Sequence, residues 1–372
     1  MVLSLSLIAL VFGLLTAEAW ILRRSVNAIA LRIHVNGTRG KSGITSYIAA
    51  ALRSAGIQTL GKVTGEIPAL ILPDGTRQTL KRRGPARIQE QFRIIRRTGR
   101  MGAKALVLEC MSIDPALQET ESRHFRPLIY VLSNIRDDHR EKLGSTHRDQ
   151  VRAMCQAIPP GCVVVSGDLE NLEAISAEAK KKKCRLLVPG EWTPGPDTEL
   201  PTGVFPENIA LAAEVASQAG VPREEAIRSI LEEISNKEAT ASGEFLNAFS
   251  VNDPDSTTVF LDRWREKAGM PQRMILVFNT RADRPERTDA FTQWIRERRG
   301  LFAGICITGD HRARAYARLK DLQPETDVTT FGPRQLKGLR QVLIDRYGKP
   351  LPVVGIGNIG GAGFRILKEY KA

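Results

Sequence analysis

Three short stretches of the chain carry residue types that handle phosphates and metal ions. The first, Asn36-Gly37-Thr38-Arg39-Gly40-Lys41-Ser42, follows the strand-like stretch Leu31–Val35 and precedes a helical pattern over Ile44–Ser54. Glycines let backbone N–H groups approach phosphate oxygens, and the following helix N-terminus adds a favourable dipole. Lys41 is expected on the outer phosphates of a nucleotide such as ATP, and the Ser42 hydroxyl on Mg²⁺. The loop is shorter than G-x-x-x-x-G-K-S, because Val35 stands where that pattern needs glycine. A plain turn is the bland alternative, and the position between strand and helix speaks against it.

The second stretch ends at Glu109, directly after the four apolar residues Ala105–Leu108. A carboxylate is costly to bury there unless something satisfies it. A structural ion pair would do so. A metal role fits better, since open α/β sheets bind ligands at the carboxyl ends of their strands. Mg²⁺ is commonly held by one or two protein carboxylates together with phosphates. The third stretch is Ser133-Asn134-Ile135-Arg136-Asp137-Asp138-His139, after the apolar run Leu128–Leu132. A lone histidine is usually structural; His139 becomes a candidate site residue because it lies at a third strand end, beside two other candidate site elements.

Elements of a particular kind must position these ends. Apolar runs at Val163–Val165, Leu186–Val188, Met274–Phe278, Gly304–Ile307 and Val353–Ile356 read as further strands. Amphipathic patterns at Asn208–Ala219 and Glu224–Ile234 read as helices. Strands alternating with helices imply a parallel sheet covered on both faces. The segment 235–243 is the best boundary between a larger nucleotide-type domain and a smaller α/β domain. Gly355-x-Gly357-x-x-Gly360 formally fits a dinucleotide fingerprint, but only 12 residues follow it, too few for the returning strand and its acidic residue. A tight turn is the reading there.

The 372 residues include 42% hydrophobic and 26% charged side chains, which excludes a disordered or fibrous protein. Lys and Arg number 54 against 41 Asp and Glu, leaving +13 and favouring an anionic partner. Aromatic residues at 6% argue against a base-stacking platform, and nucleic acid is not expected as a partner. Five cysteines without a C-x-x-C pair suggest reduced, apolar residues. Val2 to Leu22 carries one charge, Glu18, and is followed by Arg23 and Arg24. As a helix it would measure ~32 Å, enough to cross a bilayer. Ala17-Glu18-Ala19 has the form of a signal cleavage site, but no basic residue precedes the apolar run. A single anchor with a cytoplasmic body is expected from the arginines that follow it. Arg93, Arg96, Arg97 and Arg100 share one helical face, either a solvated face or one that attracts anionic lipid or an acidic polymer.

The phosphate loop, the Glu109 strand end and Asn134-Ile135…Asp138-His139 together resemble the ATP-dependent amide ligases of the Mur ligase superfamily. Asn208-Ile209-Ala210-Leu211-Ala212-Ala213 is similar to that family's adenine-side helix. Arg281-Ala282-Asp283-Arg284 resembles a segment early in its C-terminal domain. Only about 30 residues precede the loop, so the precursor-binding domain of cell-wall Mur ligases is not expected. An anchor joined to a Mur-like core looks like the poly-γ-glutamate synthase ligases of the PgsB/CapB type. Thr64-Gly65-Glu66, Arg82-Arg83-Gly84 and Ile88-x-Glu90-Gln91 are similar to that group.

The resemblance implies an α/β fold with a parallel-sheet, P-loop ATP-binding domain over 25–243. A smaller Rossmann-like domain would cover 244–372, preceded by a transmembrane helix over 1–24. It implies ATP and Mg²⁺ as cofactors, Lys41, Glu109 and His139 as catalytic residues, and Ser42, Glu109 and His139 on the metal. Nucleotide contacts would come from Asn36–Ser42, Asn208, Arg281 and Asp283, and substrate contacts from Thr64, Arg82 and Arg83. The implied partners are glutamate, a poly-γ-glutamate chain, further membrane subunits and a second copy of the chain, at an anionic membrane surface. Another P-loop NTPase, such as a kinase or transport component, and a non-catalytic basic scaffold are the rival readings.

Overall fold

The computed structural model describes residues 2–65, 68–82, 84, 86–137, 140–196, 198, 200–201, 203–238, 245–249, 251, 253–267, 273–348 and 351–371. The chain forms two compact units. One comprises Met1–Glu199 with Phe205–Asn236, the other Leu200–Val204 with Lys237–Ala372.

The first unit is built on an eight-stranded sheet in the order β4-β3-β2-β5-β1-β6-β7-β8. Its strands are β1 (Leu31–Asn36), β2 (Thr59–Val63), β3 (Ala69–Ile71), β4 (Arg77–Thr79), β5 (Ala105–Glu109), β6 (Ile129–Leu132), β7 (Val163–Ser166) and β8 (Arg185–Leu187). All neighbours are parallel except the pairs that β3 makes with β2 and β4. Its helices are α1 (Val2–Asn27), α2 (Lys41–Ser54), α3 (Gln89–Met101), α4 (Pro115–Phe125), α5 (Arg140–Leu143), α6 (His147–Gln156), α7 (Leu172–Lys181), α8 (Pro206–Gln218) and α9 (Arg223–Glu238).

Strand β5 is apolar up to Glu109 and buried throughout, as a central parallel strand covered on both faces requires; β1 alternates Leu31, Ile33 and Val35 with Arg32, His34 and Asn36, and its last four residues are buried all the same. Val35 pairs with Glu109 and Asn36 with Leu132, so three strands end side by side. That register delivers the three chemistry-bearing stretches to one edge.

The second unit carries a five-stranded, all-parallel sheet in the order β12-β11-β10-β13-β9. Its strands are β9 (Phe245–Asn247), β10 (Met274–Thr280), β11 (Phe302–Gly309), β12 (Asp327–Thr330) and β13 (Val353–Gly357). Around it lie α10 (Pro254–Lys267), α11 (Pro285–Glu297), α12 (Arg312–Leu319), α13 (Leu339–Tyr347) and α14 (Ala362–Lys371). Apolar side chains fill both faces, with Phe278, Phe291 and Phe302 on one and Phe249, Val277 and Ile366 on the other.

The parallel α/β architecture expected from the sequence is therefore present in both units. Strands β2, β3, β4, β9 and β12 add to the expected set. The five cysteines are free thiols. Helix α1 is long and apolar enough to cross a membrane over Ser4–Asn27. Its outer part is exposed, whereas Leu22 and Val26 in its last turns enter the core beside Leu60, Ile94, Ile95, Leu106, Leu108 and Phe125.

Candidate active site

The β1–α2 junction is shaped by glycine where only glycine fits. Gly37 has φ 129°, and a Cβ there would lie 2.0 Å from Ser133 Oγ. Gly40, at φ 80°, stands at the N-cap of α2, and no side chain caps that helix. The N–H groups of the first helical turn are thus directed at whatever binds in the loop. Lys41 Nζ donates to Gly37 O at 2.6 Å and Thr38 O at 3.2 Å, closing a cation over the loop's own carbonyls.

The third stretch braces this loop. Thr38 N donates to Asn134 O at 2.8 Å and Arg39 N to Asn134 Oδ1 at 3.0 Å. Ser133 Oγ donates to Arg39 O at 2.6 Å, and Arg136 N to Thr38 Oγ1 at 3.0 Å. Asn36 turns inward: its amide donates to Gln118 Oε1 and Tyr130 Oη, both at 2.8 Å, while its Oδ1 accepts from Gly37 N. Its side chain holds the loop from beneath. Asn208, at the start of α8, lies against Gly40, where a Cβ would come 3.0 Å from Asn208 Nδ2.

Glu109 is buried at the end of β5, and its carboxylate is fully engaged by the loop and its neighbour. Ser42 Oγ donates to its two oxygens at 3.0 and 2.8 Å, and Thr64 N to Oε2 at 2.7 Å. Gly65 comes so close to Ser42 that a Cβ there would be 2.8 Å from its Oγ. A hydroxyl and a carboxylate in contact beside a phosphate loop form the hard oxygen set that a divalent cation takes. Of the three expected metal ligands, Ser42 and Glu109 meet; His139 lies outside the described residues, as does Arg83.

A charged network flanks Glu109 and takes in Arg82, expected from the sequence on the substrate, together with Glu90 and Gln91; the sequence did not reveal its buried cation, Lys62. Lys62, fully buried on β2, pairs with Glu90 Oε1 at 2.9 Å. Arg82 grips the same carboxylate, Nε to Oε2 at 2.7 Å and Nη2 to Oε1 at 2.8 Å. Burial alone would raise the Glu90 pKa, but the Arg82 hydrogen bonds and the Lys62 charge outweigh it and bring it down to about 2. Burial pulls the Lys62 pKa below its usual value against the opposing pull of Glu90. Gln91 Nε2 reaches Glu109 O at 2.9 Å and Glu121 Oε2 at 3.0 Å.

Glu121 accepts further from Met111 N and from Ser112 N and Oγ, so it fixes the loop after β5. Burial would raise its pKa too, yet His34, Ser112 and Gln91 hold it below the usual range. For Lys62 the available signal was a cation inside an otherwise uncharged strand.

Two expected nucleotide contacts belong to the second unit. Arg281 and Asp283, after β10, form a two-bonded exposed pair, Nε to Oδ1 at 2.9 Å and Nη2 to Oδ2 at 2.7 Å. Gly360 packs beside Arg281, where a Cβ would sit 2.9 Å from its Nη1.

With this geometry in view, the comparisons with known proteins define the class. Residues 35–194 match the Mur ligase middle domain, and residues 232–372 match the poly-gamma-glutamate synthase CapB C-terminal domain. Among solved structures, the chain is similar to the folylpolyglutamate synthase/dihydrofolate synthase of Yersinia pestis CO92 complexed with AMPPNP and Mn ion. The TM-score is 0.68 at 16% identity, covering 93% of this chain and 91% of that one. Escherichia coli FolC in complex with DHPP and ADP has a TM-score of 0.64 at 14% identity, covering 93% of this chain and 91% of that one. The fold is that of the Mur ligases.

Among curated relatives, PGA synthase CapB of Bacillus subtilis is 30% identical over 98% of this chain and 96% of its own length. The capsule biosynthesis protein CapB of Bacillus anthracis is 27% identical over 73% of this chain and 61% of its own. The chain belongs to the CapB family of the Mur ligase superfamily, and it is an ATP-dependent amide ligase.

Proposed function

We propose that this ligase polymerises glutamate into poly-γ-glutamate at the cytoplasmic face of a bacterial membrane. In the first step an oxygen of the chain-end γ-carboxylate attacks the γ-phosphorus of ATP. The bond from that phosphorus to the β-phosphate oxygen breaks, and ADP leaves. In the second, the amine of the incoming glutamate attacks the acyl carbon, the carbon–oxygen bond to phosphate breaks, and the amine gives up a proton as the amide forms.

Lys41 and the α2 N-terminus neutralise charge on the transferring phosphoryl group, an arrangement that favours a charge-rich transition state over the ground state. Ser42 and Glu109, with His139, are the proposed holders of Mg²⁺. That ion would supply Lewis-acid polarisation of the phosphoryl oxygens. Gly37–Ser42 cradle the triphosphate with Asn36 bracing them from beneath, Asn208 borders the nucleotide beside Gly40, and Arg281 and Asp283 serve as its contacts from the second unit. Thr64, Arg82 and Arg83 are assigned to the acidic substrate. Helix α1 anchors the enzyme, which works as a homo-oligomer with further membrane subunits.

The observation that carries this reading is the contact of Ser42 with Glu109 beside Lys41, in a chain whose relative is named a PGA synthase. A neighbour of the same fold, at a TM-score of 0.64 and 16% identity, is described with Mn, AMPPNP and L-glutamate bound, which supports a glutamate ligand. The test is to incubate membranes containing the full chain with ATP, Mg²⁺ and labelled glutamate. The expected result is glutamate-dependent release of ADP and phosphate together with an amide-linked oligomer in the mass spectrum. ATP turnover that ignores the amine would point to another kind of NTPase.

A further inference from the structure

Helix α1 does more than attach the first unit, because its direction relative to the sheet is fixed. It enters β1 at the amino-terminal edge, where Leu31 N bonds Lys104 O just before β5. Its last turns are locked in the core through Leu22 and Val26, with Ile29 following. Its second half lies on α3. Arg96 Nη1 pairs with Glu18 Oε1 at 3.1 Å, and Gly99 lies so close to Ser25 that a Cβ there would be 3.0 Å from Ser25 O. Position 18 thus faces 96 and position 25 faces 99, so the two helices run the same way.

The sense of α3 is itself settled by its ends. Gln91, in its first turn, bonds Glu109 O at the carboxyl end of β5, and after Met101 the chain reaches the amino end of β5 within a few residues. Helix α3 therefore starts at the phosphate-loop edge, and so α1 projects its N-terminal half past that same edge. Nine helical rises from Asn27 back to Glu18 climb ~14 Å, and β1 climbs ~17 Å. Glu18 accordingly stands about level with the strand ends that carry Asn36 and Glu109. The sixteen residues before it extend ~24 Å beyond that level.

Side chains near the level fit a lipid headgroup layer. Trp20 is 60% exposed and lies under the Arg24 guanidinium, 5.4 Å from the ring centroid. Arg23 is exposed as well. Aromatic and basic residues gather where a helix leaves a bilayer on the cytoplasmic side. Lys81, Arg87 and Arg93 are exposed around the start of α3, on the phosphate-loop side of the sheet.

We propose that α1 holds the carboxyl-end edge of the first unit's sheet toward an anionic bilayer, so that the phosphate loop and Glu109 lie on its membrane side. The inference rests on the anchor assigned above and adds an orientation to it. A chain end activated at this edge is activated next to the lipid surface.

The full chain carrying Cys184→Ser, whose other four cysteines are buried, provides the background for the test. One fluorophore is placed through Ala86→Cys, at the α3 start, or through Lys104→Cys, at the opposite edge; both positions are exposed. Each labelled protein is reconstituted into phosphatidylglycerol vesicles containing headgroup-spin-labelled lipid, and quenching is read after flotation. The expected result is quenching several-fold stronger at position 86 than at 104, and weaker at 86 in phosphatidylcholine vesicles. Equal quenching at the two sites, or stronger quenching at 104, in protein that floats would overturn the orientation and leave the anchor standing. Quenching at 86 that ignores headgroup charge would overturn the anionic preference. Protein that fails to float would overturn the anchor and the orientation together.

Discussion

The turn from β1 into α2 and the turn from β13 into α14 are both strand–glycine–helix junctions, yet opposite kinds of side chain collect their backbone carbonyls. In the first, the Lys41 ammonium reaches Gly37 O and Thr38 O. In the second, Asn279 Nδ2 donates to Asn358 O and Gly360 O, while Arg287 Nη1 holds Asn358 Oδ1 at 2.7 Å. Both turns need glycine: Gly357 has φ 95° and would otherwise meet Asn279 O at 2.4 Å. A mobile cation can leave carbonyls for phosphates; a buried neutral amide cannot do so without exposing two acceptors. The glycine pattern reports the turn, and the side chain filling it reports whether the turn has a ligand.

The largest effect is expected from Lys41→Met. Loss of one charged donor at a phosphoryl group should lower kcat on the order of 10²- to 10³-fold, with the melting temperature nearly unchanged, as read by phosphate release and calorimetry. Next comes Glu109→Gln, which should raise the Mg²⁺ concentration needed for half-maximal turnover. Combined with Ser42→Ala, it should cost much less than the sum of the two logarithmic losses, since residues on one ion act as a unit. Full additivity would separate them.

A smaller effect concerns the charges flanking that site. Glu90→Gln leaves Lys62 buried without its carboxylate and should cost about 3 kcal/mol at neutral pH in urea unfolding. Glu90 has a folded pKa of about 2, depressed from 4.5, so its contribution is present above 4.5 and lost as pH falls toward 2. The gap between wild type and variant should therefore close across that acid window. A gap that stays constant down to pH 2 would remove Glu90 as its source. Smallest is Asn279→Ala, expected to destabilise by about 1–3 kcal/mol through two unpaired carbonyls while leaving the Mg²⁺ midpoint where it was. If it shifted the metal requirement as Glu109→Gln does, the contrast between the two turns would fail.

Residues that act within one local run were legible. The Lys41 loop and Glu109 stood out because a charge follows an apolar strand, and period and turn chemistry place both. What stayed hidden depended on partners distant in sequence. Strand β2 escaped notice because Gly61 and Lys62 interrupt its apolar character, and Lys62 is explained only by Glu90, 28 positions on, and by Arg82. Asn36 read as a phosphate contact from its place in the loop, whereas its amide faces Gln118 and Tyr130 on α4 and β6. Nothing local announces a side chain's direction when both options are polar. The short strands β3 and β4 pair antiparallel at the sheet's margin, where three residues are too few to show a period.

Helix α1 runs without a break from the exposed segment into the core. A flexible tether would let the catalytic body wander; this one transmits tilt. In the anchored state proposed above, the ~24 Å of helix before Glu18 would fall short of a hydrocarbon layer of ~30 Å, a mismatch that local thinning of the bilayer or snorkelling of flanking residues would relieve. Any angle the helix takes is taken equally by the sheet packed on its last turns. In the orientation proposed above, bilayer thickness would act as a mechanical input to the enzyme, setting the pitch at which its phosphate loop meets the lipid.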